Sequence, residues 1–124
     1  MGIDIYMKWK GMTKEEKEAQ YTGFSVKHGH VGYLREAYHG APYATKVLCP
    51  ESFAADTCEA QIAASVLRAR LPLVKTAAIE RESVVYKSFG DEADEVVKSY
   101  EDFVALAEKK EKETGEPVTI VASY

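Results

Sequence analysis

Apolar and polar residues alternate from Gly2 to Trp9. Ile3, Ile5, Met7 and Trp9 fall on one side, and Asp4, Tyr6 and Lys8 on the other. A period of two is that of a strand with one buried face. Asp4 then reads as an edge charge, an acceptor for a loop, or a site residue. The run from Val118 to Tyr124 alternates too and is rich in β-branched residues, so it predicts a closing strand. The two end strands each need a partner and are expected to pair.

Helical spacing occupies the stretches between. Thr13 stands at an N-cap with Glu16 three residues on, a capping box that predicts a polar helix from Lys14 to about Tyr21, ended by Gly23. Phe24–Val26 suggests a short strand. Val31, Leu34, Ala37 and Tyr38 recur at three- and four-residue intervals. That predicts a short helix over Gly32–His39, with Gly40 in the left-handed closing position and His39 in the last turn. Thr45–Cys49 reads as a short strand stopped by Pro50.

Over residues 57–62 an extended piece with Cys58, Ala60 and Ile62 inward is preferred to a helix capped by Asp56. A helix from near Ala63 would turn Val66, Leu67, Leu71, Val74 and Ala78 inward. Pro72 should kink or break it, leaving a second part from Leu73 to Phe89. Asp91 is placed to cap a long helix. In it Val96, Val97, Tyr100, Phe103, Val104 and Ala107 form one apolar stripe, Glu108 and Lys112 an i,i+4 pair, and Gly115 with Pro117 the stop.

These elements make one domain over residues 1–124, of the α+β class. A small sheet holding the N- and C-terminal strands is packed against two or three longer helices. A chain of 124 residues can build a core without staples. The net charge of -4 disfavours a nucleic-acid surface. Residues 1–50 hold seven Lys/Arg against five Asp/Glu, and residues 51–124 nine against fifteen, so any preference for an anion belongs to the first part. There is no apolar leader and no run of eighteen apolar residues, so no membrane partner is expected. Cys49 and Cys58 are expected to be reduced thiols of a cytoplasmic protein, a disulfide being open only to an exported chain.

The chemistry-bearing residues gather between His28 and Phe53. His28, His30 and His39 supply three imidazoles. Residues 28 and 30 of an extended segment point the same way, and Cys49, Cys58 or Asp4 could add a fourth metal ligand. The spacing matches neither HExxH nor CxxC, so a solvated loop is the plainer reading and no cofactor is expected. Cys58 would be an activated thiol only at a helix start; both cysteines read more simply as small buried hydrophobes. Tyr33, Arg35, Tyr38, His39 and Tyr43 form the binding candidate. Tyrosine offers a dry ring and a wet hydroxyl, and arginine a fork for carboxylate or phosphate. The plain alternative packs the tyrosines over the sheet.

Two functions follow. One is a small binding or interaction protein without catalysis, with its contact surface in residues 28–53; it would meet a protein or a small anionic ligand, and could pair as a homodimer through that segment or through the stripe of the long helix. The other is a small hydrolytic or transfer enzyme using the histidines as base or metal ligands.

Overall fold

The computed structural model describes residues 2–21, 29–37, 43–85 and 90–124. In chain order they form β1 (Gly2–Lys8), α1 (Lys14–Tyr21), a 3-10 turn (Gly29–Val31), β2 (Tyr33–Ala37), α2 (Ala44–Leu48), α3 (Pro50–Ala54), β3 (Glu59–Ile62), α4 (Ala64–Val85), α5 (Gly90–Thr114) and β4 (Val118–Ser123). The strands make one antiparallel sheet in the order β2-β1-β4-β3. The chain is an α+β domain.

The end strands pair as their alternation requires, with Ile5 opposite Ala122 and Met7 opposite Ile120. Both are interior strands, so Asp4 is not an edge charge. The register puts Ile3, Ile5, Met7, Leu34, Ile62, Val118, Ile120 and Ala122 on one face, all buried. Helices α4 and α5 cover that face with Leu67, Leu71, Val74, Tyr100, Phe103, Val104 and Ala107. Each large side chain so buried contributes about 1.5–3 kcal/mol relative to exposure. Of the α5 stripe, Tyr100, Phe103, Val104 and Ala107 are therefore buried within the chain, and Val96 and Val97 only partly.

The residues expected to form a helix over 32–39 form β2 instead. Tyr33 and Arg35 lie on one face of the sheet, Leu34 and Glu36 on the other. The alternation is hidden because Glu36, at a core position and only 9% exposed, is charged. Its carboxylate accepts hydrogen bonds from Ala44 N (2.8 Å), Thr45 N (3.1 Å) and Thr45 Oγ1 (2.7 Å). It thus caps α2 from a neighbouring strand, where Tyr43 at the N-cap supplies no side-chain bond. That cap explains a second correction: residues 45–48 are helix, not strand, and Cys49 is the joint between α2 and α3. Pro50 then opens α3 from its first turn, where a missing N–H costs nothing.

The turn into β2 is tight. Gly32 has φ +84°, and a Cβ there would lie 2.8 Å from Gln20 Nε2 and 2.9 Å from Met7 Cβ. Gln20 Nε2 donates to the carbonyls of Met7 (3.0 Å) and Val31 (2.8 Å), tying α1 to the sheet. The capping box forms as expected, Thr13 N donating to Glu16 Oε1 and Glu16 N to Thr13 Oγ1.

Helix α4 runs unbroken through Pro72. The proline is on the exposed side, where the carbonyl one turn back can turn to water. Val66, expected inward, is exposed, as are Leu73 and Ile79. Glu108 pairs with Arg68 of α4 rather than with Lys112. Asp91 lies one residue inside α5 rather than at its cap. The helix closes at Gly115 (φ +79°), whose N–H donates to Glu111 O. The strand expected at 24–26 lies outside the described residues. No helix among them is long and apolar enough to cross a membrane.

Candidate functional site

The second face of the sheet carries the polar positions of the strands. Register sets Asp4 beside Arg35 and Ser123, and Tyr6 beside Tyr33 and Val121. Neighbouring strands lie about 4.8 Å apart, so opposite side chains touch. The Tyr6 and Tyr33 rings stack with centroids 5.0 Å apart at 27°. The Tyr33 hydroxyl donates to Asp4 Oδ1 at 2.6 Å, and Arg35 Nε lies 3.7 Å from the same oxygen. Burial, then the Asp4 carboxylate, push the Tyr33 phenol well above its ordinary pKa, so it stays protonated.

Of the five residues expected to share a binding pocket, Tyr33 and Arg35 are brought together here, with Asp4 and Tyr6 as partners. Tyr43 belongs to another cluster. Lys46 Nζ sits 5.3 Å from the Tyr43 ring centroid, 5.5 Å from that of Phe53 and 6.0 Å from that of Tyr124. Tyr38 and His39 lie outside the described residues, as does His28. His30 is exposed in the 3-10 turn, beside a shallow groove it shares with Trp9, Glu16 and Lys110. Among the described residues no group of three His, Cys, Asp or Glu is placed to hold a metal.

Both cysteines are free. Burial, and next the Glu51 charge, push the Cys49 thiol up to about 12, so it is no nucleophile near neutral pH. Cys58 stands in a turn, with φ 59°, not at a helix start.

Alongside Tyr6 the polar face opens into a cleft of about 380 Å³. Tyr6, Lys8 and Val121 line it from the sheet, Met12, Lys17 and Gln20 from the side of α1, with Trp9 between. Its position follows from two ties on α1: Gln20 to the sheet, and Glu16 to Lys110 of α5 at 3.2 Å. The Lys110 ammonium in turn lies 4.9 Å from the Trp9 ring centroid and steadies that ring. Sequence reasoning missed this cleft. Its walls come from three separated stretches, none unusual in composition, and only the position of α1 brings them together.

Comparison of the chain with protein-family models, with curated proteins and with solved structures found no match.

Proposed function

We propose that the chain is a small non-catalytic binding protein of the cytoplasm, and that its contact surface is the polar face of β1 and β2, which includes Tyr33 and Arg35 of the 28–53 segment. The observation that carries this reading is the closed pairing of Asp4, Tyr33 and Arg35 beside the stacked Tyr6 ring. A site for proton transfer wants groups poised near neutrality. Here the phenol and the buried thiol are both driven away from it. What the face offers is the partly exposed Tyr6 ring and the edge of the Arg35 guanidinium, held in fixed positions by buried Tyr33 and by Asp4, which suits recognition of an anionic group on a small ligand or a protein. Two free cysteines fit a reducing compartment.

The test is affinity capture from cell extract with wild-type protein, Arg35→Gln and Tyr6→Ala, with small molecules and proteins both identified by mass spectrometry. The expected result is a species retained by the wild type, lost from both variants and eluted chemically unchanged. A species returned as a reaction product would overturn the reading. Self-association belongs to the same proposal. The surface proposed for a second copy is the outer side of α4, where Leu73 is 67% exposed. Sedimentation at twice the chain mass, abolished by Leu73→Lys, checks it.

A further inference from the structure

Three properties of the cleft beside α1 converge on one ligand chemistry. The first is its apolar lining: the Tyr6 and Trp9 rings, with Met12 and Val121, give flat and polarisable contact surface. The second is its charge. Lys8 and Lys17 are its ionisable lining residues apart from Tyr6, and both are cationic. Lys8 shares its charge with Glu59 at 3.0 Å, whereas the Lys17 ammonium has no acidic partner among the described residues. The third is Gln20, only 2% exposed. Its Nε2 is committed to the Met7 and Val31 carbonyls, which fixes the amide, and its Oε1 accepts no hydrogen bond among the described residues. A buried amide oxygen lacking a donor is uncommon in folded proteins, and an N–H or O–H of a molecule in the cleft would supply one.

The geometry points to a small-molecule site in this cleft that takes a planar aromatic carboxylate carrying a hydrogen-bond donor. The ring lies against Trp9 and Tyr6, the carboxylate is drawn to Lys17, and the donor serves Gln20 Oε1. The volume of about 380 Å³ lies at the small end of the range for ligand sites, roughly 300–1,000 Å³. This inference rests on the reading of the chain as a binding protein.

Trp9 is the only tryptophan, so its indole N–H gives a single cross-peak in a 15N-correlated spectrum and reports on the cleft directly. The full chain is titrated with indole-3-acetate, with 1-naphthaleneacetate, which lacks the donor, and with tryptamine, which carries the opposite charge. The expected result is a saturable shift of the Trp9 peak with indole-3-acetate, a weaker one with the naphthalene acid and none with tryptamine. Lys17→Gln, a change at an exposed position, should weaken the acid about three- to five-fold. Absence of a saturable shift, equal binding of acid and amine, or unchanged affinity in Lys17→Gln would each overturn the site. Any conversion of a bound acid, followed in the same spectra, would leave the site standing and sink the non-catalytic reading instead.

Discussion

Glu36 shows how one charged side chain can disguise a strand. Its carboxylate occupies a core position because three donors of α2 meet it there, and the alternation that marks β2 is lost to a reader of the sequence. Removing it in Glu36→Ala would leave two backbone N–H groups and a hydroxyl without their acceptor, at a cost of about 3 kcal/mol. Glu36→Gln, which keeps one acceptor oxygen, should cost less than half of that; urea unfolding of the two variants gives the comparison. Gly32 has a similar hidden burden. The sequence places it only at the start of an expected helix, yet both its φ and the contacts a methyl group would meet disfavour any other residue. Gly32→Ala should lower stability by about 3 kcal/mol, from left-handed strain together with overpacking. If its denaturation midpoint matched that of the wild type, the tight approach of Gln20 to this turn would be wrong. At this scale the legible features were local ones. Thr13 and Glu16 could be paired because three residues separate them, whereas Glu36 and Thr45 meet only across a turn between two elements.

Among the elements, those with long uninterrupted patterns could be read: β1, β4, α5 and the polar α1. Short ones could not. Five residues of α2 and five of β2 hold too few apolar positions to separate a period of two from one of 3.6, and tertiary partners decide them. Pro72 is the instructive case in α4. A proline in a helical run usually marks a boundary, but the boundary is enforced only where the orphaned carbonyl cannot reach water. Because Pro72 is exposed, the helix continues past it and pays in stability alone. Pro72→Ala should therefore raise the thermal midpoint, by an amount corresponding to about 1–2 kcal/mol once the stiffer unfolded chain is allowed for. Calorimetry that found Pro72→Ala less stable would show that the ring makes packing contacts outweighing the lost bond.

For the whole molecule, ion pairs join elements distant in sequence. Arg70 holds Glu51 of α3 through two contacts of 2.7 Å and also donates to Leu48 O, while Arg68 holds Glu108 of α5. The Arg70 hydrogen bonds lower the pKa of Glu51, the Arg68 hydrogen bond that of Glu108, and the Thr13 N–H that of Glu16, all from 4.5. Carboxylates lowered on folding stabilise the native state above 4.5, and that contribution is lost as pH falls through their lower folded values. The urea midpoint should thus fall as the pH drops below 4.5, and fall less in Glu51→Gln. These groups are substantially exposed, so each effect is modest and shrinks in high salt. The pairing of the end strands was readable from alternation; the strand order and the cleft beside α1 were not, since both depend on where distant segments are carried.

The place of β4 in the sheet also governs how the chain comes to be folded in a cell. It lies between β1 and β3 and joins them, yet it is the last of these elements to leave the ribosome. During synthesis β1 and β2 can meet early, but β3 has no neighbour and the apolar sides of α4 and α5 have only half a sheet to cover. Until Val118–Ser123 emerges, the apolar sides of β3, α4 and α5 stay uncovered, and the interval between α5 and β4 is the stage of synthesis most exposed to aggregation.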